Sequence, residues 1–251
     1  AQLARTVKAG ELGIDETWPS RFLIGLMQLR PDVKPVMGSL PVEQSTMYKD
    51  EEERQRMREA SLINDECMDM VIHAIREGVT EKELALKVEN FFKARGCNSL
   101  GFSIVGMGKN GADPHHDADE TVLKEGDSIV LDIGAPFNHY WCDMTRTVFY
   151  KSVSEKQREV YETVRRANEA AIAKIKPGVA FKEFDLAARK VIEDAGYGEY
   201  FTHRTGHSIG MKEHEKPPVA SDCEVIARPG MVFSIEPGIY LPGQFGVRVE
   251  D

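Results

Sequence analysis

Apolar positions from residue 48 to 78 recur at helical spacing: Met57, Ala60, Ile63, Met68, Val71, Ile72 and Ile75, closed by Gly78. The spacing predicts one long helix, with Asp50-Glu-Glu-Glu53 as its solvated acidic first turn. Thr80-Glu-Lys-Glu83 has the form of a capping box and opens a second helix that runs to about Arg95. Gly101 to Met107 reads as a strand, and Gly108 to Glu120 as a polar loop holding Pro114-His-His-Asp117. Ser128-Ile-Val-Leu131 and Tyr140 to Tyr150 are runs of apolar β-formers, with Gly134, Pro136 and Asn138 in the connection between them. A further helix runs from its N-cap Ser154 to Ile175 and stops at Pro177-Gly178; another covers Phe181 to Ala195 and ends at Gly196. Short strands broken by Gly and Pro fill the remainder. Two helices, strands, two helices, strands predict an α+β fold with helices over one face of a sheet and an internal duplication.

Residues 1–47 read differently. Phe22 to Met27 predicts a short helix, and Pro19, Pro31, Pro35 and Pro41 punctuate the rest. This segment is expected to be the tail of a preceding domain plus a linker, and 48–251 the main domain. The first residue is not Met, which fits processing or a fragment.

The net charge of −9 disfavours nucleic acid or an anionic membrane as main partner. The longest apolar stretches, such as Phe22 to Met27, are too short to span a bilayer. Cys67, Cys97, Cys142 and Cys223 are scattered without a CxxC pair, so reduced thiols and a cytoplasmic location are expected.

The chemistry sits in the strands. Asp132 and Asp143 each interrupt an apolar run, on neighbouring strands, and a carboxylate buried unpaired is costly. A divalent cation would serve both. His207, Glu236 and Glu250 are the other acidic and imidazole residues in strand-like settings. Four carboxylates and one imidazole suit two metals about 3.5–4 Å apart, bridged by carboxylates and a hydroxide. An oxygen-rich set points to Mn²⁺, with Co²⁺, Fe²⁺ or Zn²⁺ as alternatives.

Six motifs occur in order: Leu131-Asp-Ile-Gly-Ala135, Cys142-Asp-Met-Thr-Arg-Thr147, Thr205-Gly-His-Ser-Ile-Gly210, His214-Glu-Lys-Pro217, Ile235-Glu-Pro-Gly-Ile-Tyr240 and Gly246-Val-Arg-Val-Glu-Asp251. With them, residues 50–251 resemble the pita-bread metallopeptidases, which include methionine aminopeptidase, Xaa-Pro aminopeptidase and prolidase; the last two motifs are similar to the Xaa-Pro branch. The resemblance implies the pita-bread fold, a curved antiparallel sheet with helices on its outer face and a pseudo-twofold duplication. Residues 1–47 would be the remnant of that branch's N-terminal domain. The implied activity is dimetal-dependent exopeptidase cleavage of short peptides with proline at the second position, by a homodimer. The implied metal ligands are Asp132, Asp143, His207, Glu236 and Glu250, with Asp143 and Glu250 bridging. Glu236 would shuttle the proton to the leaving nitrogen. His115 and His214 would contact the substrate carbonyl and the tetrahedral oxyanion. His203 would line the proline pocket, Tyr240 would shape it, and Arg248 would hold Asp143 or another carboxylate. Cys142 should be a packed thiol on the opposite sheet face.

Three positions depart from the family pattern. His116-Asp117 stands where a small residue is usual, and Ser208 replaces a Gly, which could crowd the metals. These motivate an alternative, a hydrolase or lyase on a small non-peptide metabolite; a non-catalytic binding relative is the third reading, and the complete ligand set weighs against it. Glu250 is the second-last residue, so the domain is expected to be truncated at its C-terminal end, with a ligand prone to fraying.

Overall fold

The computed structural model describes residues 2–97 and 101–251. The chain divides into two compact units, Ala1–Thr46 and Met47–Asp251. In the first, α1 (Gln2–Thr6) precedes β1 (Gly10–Ile14), and α2 (Ser20–Leu29) connects β1 to a parallel strand β2 (Val33–Met37); α3 (Ser39–Thr46) follows. The short helix expected around Phe22 is α2. The strand pair was not foreseen, because neither five-residue strand alternates cleanly between apolar and polar side chains.

The second unit repeats one design twice. Its first half has α4 (Glu51–His73), α5 (Glu81–Ala94), β3 (Phe102–Met107), β4 (Ser128–Phe137) and β5 (Tyr140–Phe149). Its second has α6 (Glu155–Ile172), α7 (Phe181–Asp194), β6 (Gly206–Ser208), β7 (Glu215–Val219), β8 (Gly238–Leu241) and β9 (Phe245–Arg248). Asp50 and Ser154 cap α4 and α6 with full capping boxes, to Glu53 and Gln157. α5 and α7 are both 14 residues long. Gly78 and Gly178 precede them with φ of +77° and +92°, a left-handed geometry that favours glycine. Equivalent bridges, Thr80 to Val122 and Ala180 to Ile226, fix the start of each.

Each half has its own core. Leu84, Val88 and Phe92 of α5 pack with Ile129, Leu131 and Ile133 of β4; Phe181, Phe184 and Ile192 of α7 pack with Ile235, Ile239 and Val247. The odd-numbered positions of β4 face these helices, so Asp132 and Gly134 face away from them. Two buried asparagines at the same distance from their N-caps tie the long helices to the sheet. Asn64 Nδ2 donates to the Ile133 carbonyl (3.0 Å), and Asn168 Nδ2 to the Ile235 carbonyl (2.9 Å). Asn168→Ala leaves that carbonyl buried without its donor and should cost about 1–3 kcal/mol. Urea denaturation of the two single variants tests this, and Asn64→Ala should match it.

β4 and β5 form a hairpin, and β3 pairs on the far side of β4, all antiparallel. Phe137 pairs with Tyr140, so the turn is Asn138-His139, with φ of +47° and +71°. This corrects the expected connection: Gly134 and Pro136 lie inside the strand, because a two-residue turn with both φ positive closes the hairpin with the right twist. The ladder then continues. Thr147 Oγ1 donates to the Arg248 carbonyl (2.9 Å), and Glu250 N–H donates to the Thr145 carbonyl (3.2 Å). Ile235 and Asp251 exchange backbone bonds at 2.8 and 3.2 Å. Glu236 N–H donates to the Thr205 carbonyl (2.7 Å), and Ser234 N–H to that of His207 (2.8 Å). The segments bearing Asp132, Asp143, Glu250, Glu236 and His207 therefore lie side by side in one continuous antiparallel layer. Glu250 is buried, with its backbone N–H bonded to β5 and its neighbour Asp251 bonded to Ile235. Among the described residues no helix is long and apolar enough to cross a membrane.

Candidate metal centre

Asp132 lies opposite Thr145 and Asp143 opposite Gly134, so the two carboxylates are diagonal neighbours on one face of the hairpin. A Cβ on Gly134 would fall 2.6 Å from the Phe102 ring, so glycine there lets that ring pass beside the carboxylates. Asp143, His207 and Glu250 each place a donor atom within 4.8 Å of the others. His207 Nε2 is 3.5 Å from Asp143 Oδ2 and 3.6 Å from Glu236 Oε1. His207 Nδ1 lies 3.1 Å from the Ser208 carbonyl, a contact an N–H satisfies, which leaves Nε2 a free lone pair facing the carboxylates. Burial, and next the His214 ring, push the His207 pKa down to about 3, so the ring is a neutral donor.

The carboxylates are crowded. Burial first, then the charges of Glu250, Asp132 and Glu236, drives the Asp143 pKa well up. Burial and the charges of Glu236 and Asp132 do the same for Glu250. Burial lifts Glu236 to about 7, with Arg248 acting against it. Asp132 Oδ1, Asp143 Oδ1 and Glu250 Oε1 are all buried without a hydrogen-bond partner among the described residues. Three orphaned carboxylate oxygens beside a neutral imidazole have the donor chemistry for hard divalent cations, and the residues fit such ions.

This sets the pH response of the metal-free protein. A carboxyl whose folded pKa is raised binds more protons folded than unfolded, so its stabilising proton is lost as pH rises through the folded value. The melting temperature of the metal-free chain should fall as pH rises from about 5 through the Glu236 value near 7, with the raised Asp143 and Glu250 carboxyls acting in the same direction. Scanning calorimetry in chelator checks this, and added Mn²⁺ should reverse the loss by replacing the protons.

Arg248 is the counter-charge. Its guanidinium donates through NH2 to Asp132 Oδ2, through Nε to Thr145 Oγ1 (3.1 Å), and through NH1 to Tyr240 Oη (2.7 Å) and the Pro114 carbonyl (3.3 Å). Thr145 Oγ1 in turn donates to Glu250 Oε2 (2.8 Å). The carboxylate Arg248 holds is thus Asp132 and not Asp143. Tyr240 is buried, and its hydroxyl sits between Arg248 and His203 Nε2 (2.8 Å), behind the cavity wall instead of on it.

A cavity of about 610 Å³ opens over the carboxylates. His115, His203 and His214 all line it. The His214 ring stands edge-on to that of His207, 4.0 Å between centroids. Burial lowers His203 to about 4 and also lowers His214, so both act as neutral rings. Arg204 and Glu213, which the sequence reading passed over, line it too. Their signal was adjacency, each beside a singled-out histidine. His116 turns away to Glu81 (2.7 Å), while Asp117 reaches the cavity. Ser208 Oγ donates to the Pro217 carbonyl (2.8 Å), so it does not crowd the ligands. Cys142 is buried beside the Ala135 carbonyl, its thiol pushed up to about 12 by burial, as a packed thiol should be.

The model of metallopeptidase family M24 matches residues 55–251. The chain belongs to metallopeptidase family M24. An uncharacterized peptidase of Staphylococcus aureus (strain MSSA476) is 39% identical over 213 residues, which are 84% of this chain and 61% of that protein. The chain thus spans about three-fifths of the curated relative's length. The prolidase from Pyrococcus furiosus superposes with a TM-score of 0.94 at 36% identity, over 100% of this chain and 74% of that one. The recombinant prolidase from Thermococcus sibiricus gives 0.95 at 38%, over 100% and 69%. The M24 fold is the pita-bread fold, and the duplicated helix pairs over one curved antiparallel layer are its two halves.

Proposed function

We propose that this M24 chain carries the catalytic centre of a dimetal exopeptidase that hydrolyses Xaa-Pro dipeptides. One observation carries the reading: five residues from five adjacent segments line one cavity, three of them with buried oxygens that have no donor among the described residues. Two divalent ions held by Asp132, Asp143, His207, Glu236 and Glu250 would supply an activated water and polarise the scissile carbonyl, with Mn²⁺ the best match to the oxygen-rich donors.

The chain's own residues do the rest. Glu236, whose Oε1 lies 3.6 Å from His207 Nε2 at the centre, would accept a proton from the activated water and pass it to the leaving proline nitrogen. His115 and His214 stand on the cavity wall, where a neutral imidazole N–H can donate to the carbonyl oxygen as charge develops on it. Arg248 keeps Asp132 aimed. Arg204 is exposed on the wall, near enough to Glu236, His207 and His214 to act on their charges, and among the described residues no side-chain hydrogen bond or ion pair binds its guanidinium. A free C-terminal carboxylate is its natural partner, which favours dipeptides over longer chains.

The test is metal-stripped protein reloaded with Mn²⁺ and offered Xaa-Pro dipeptides and their C-terminal amides. The free acid should be favoured by about 10- to 100-fold in kcat/KM, the worth of one charge-assisted pair, and Arg204→Ala should erase that preference. Equal cleavage of acid and amide by the unaltered protein would refute the dipeptide assignment. Absence of metal-dependent cleavage would refute the activity.

A further inference from the structure

Glu81 opens α5, where a first-turn acid ordinarily faces solvent, yet it is fully buried. Its carboxylate points into the β3–β4 loop. Oε1 accepts from Met107 N–H (2.7 Å) and Asn110 Nδ2 (3.0 Å); Oε2 meets His116 Nε2 (2.7 Å) and accepts from Asp119 N–H (3.1 Å). One carboxylate thus gathers the start, middle and end of the loop that presents His115. Glu81, His116 and Asp119 also have the spacing of a cation site, but four nitrogen partners already occupy the Glu81 oxygens, which makes the cluster a clamp and not an ion site.

His115 is bracketed. On one side the Pro114 carbonyl accepts from Arg248 (3.3 Å), and on the other the His116 ring is held by Glu81. The His115 backbone N–H donates to Asp113 Oδ1 (3.0 Å), while its side chain is exposed in the cavity. The loop between these anchors contains only a short 3₁₀ turn, Gly108–Ala112, so no ladder fixes His115. The second half has a counterpart. Buried Asp185 of α7 accepts from Thr205 N–H (3.0 Å) and Oγ1 (2.8 Å), beside His203. In both halves the second helix sends a buried carboxylate to the loop that carries a cavity histidine.

We infer that Glu81, acting through His116, is the positioning residue that sets His115 in the metal-centre cavity. This rests on the role proposed for His115. Glu81→Gln keeps the shape but offers one oxygen and an NH2 to four nitrogen partners, so part of the clamp must open. Xaa-Pro hydrolysis should fall about 10- to 100-fold in kcat, the scale of a small misplacement of a reacting group. Mn²⁺ affinity, read by calorimetry, should change less than about twofold, since no metal ligand moves. His116→Ala, which leaves the other three partners in place, should show the same pattern more weakly, and His116→Gln, whose amide can still donate to Glu81, should restore most of the rate.

The decisive comparison is the double variant Glu81→Gln/His115→Ala. If Glu81 works through His115, the double variant is no slower than His115→Ala alone. Multiplying losses would overturn the inference, as would Mn²⁺ affinity that falls in step with kcat. Amide exchange at Met107 and Asp119 reads the clamp without turnover: it should accelerate in Glu81→Gln, and unchanged exchange would overturn the clamp whatever the activity. If the unaltered protein cleaves no Xaa-Pro peptide, the proposed function fails while exchange still decides the clamp. If it cleaves but His115→Ala is silent, the role of His115 fails, and the inference fails with it.

Discussion

Asp143→Asn should abolish metal-dependent hydrolysis, with kcat at least about 10³-fold down, a barrier rise of about 4 kcal/mol. The same change should raise the melting temperature of the metal-free protein. The opposite signs share one cause. Asp143 is held among Glu250, Asp132 and Glu236, and its Oδ1 is buried without a partner. With cations present its charge is what they bind; without them the charge is a liability, since burial and three like charges act against it. Asparagine keeps the volume and removes the charge. The gain in melting temperature should be largest at pH 8, where the wild-type carboxyls are driven to ionise, and should vanish near pH 5. Calorimetry in chelator at both pH values checks it. A metal-free Asp143→Asn protein that melts lower at pH 8 would show that the cluster is not under electrostatic strain.

Arg248→Met should be the most destabilising single change in the second unit, costing about 3–5 kcal/mol, because it removes one partner of a buried ion pair and leaves the other. The guanidinium is almost wholly buried and reaches Asp132, Thr145, Tyr240 and the Pro114 carbonyl together. Its loss strands the Asp132 carboxylate in an already anionic pocket and frees the carbonyl next to His115. Lysine should not rescue it, since a single ammonium cannot span donors in four directions. Urea unfolding of metal-free Arg248→Met and Arg248→Lys measures both. A cost under about 1 kcal/mol, the usual worth of a surface pair, would mean that solvent reaches the site freely.

Much of this was legible in the chain because it is local. The capping boxes at Thr80 and Ser154, the glycine breaks at Gly78 and Gly196, and the placing of Asp132 and Asp143 on paired strands are all written within a few residues. The alternating order of helices and strands pointed to the duplication, which the structure makes plain through Asn64 and Asn168. What stayed hidden depends on long-range register. Arg248 was expected to hold Asp143 or another carboxylate; which one depends on where the C-terminal strand lies against the β4–β5 hairpin, and it is Asp132. Glu81 sat unremarked inside the Thr80-Glu-Lys-Glu83 capping-box motif; only the folded loop shows that four nitrogens converge on it. Arg204 gave only its adjacency to His203, since an exposed arginine in a loop is ordinary until a cavity forms beside it. The turn at Asn138-His139 was misplaced because Gly134 and Pro136 are stronger turn formers by composition, yet the ladder runs past both.

The five residues around the cavity are proposed to form a two-ion centre. Anomalous diffraction from crystals of the Mn²⁺-loaded protein, collected on both sides of the manganese edge, tests it most directly. Two peaks are expected among Asp132, Asp143, His207, Glu236 and Glu250, about 3.5–4 Å apart, and none at Glu81, His116 and Asp119. A single peak, or density at the Glu81 cluster with the carboxylate pocket bare, would contradict it.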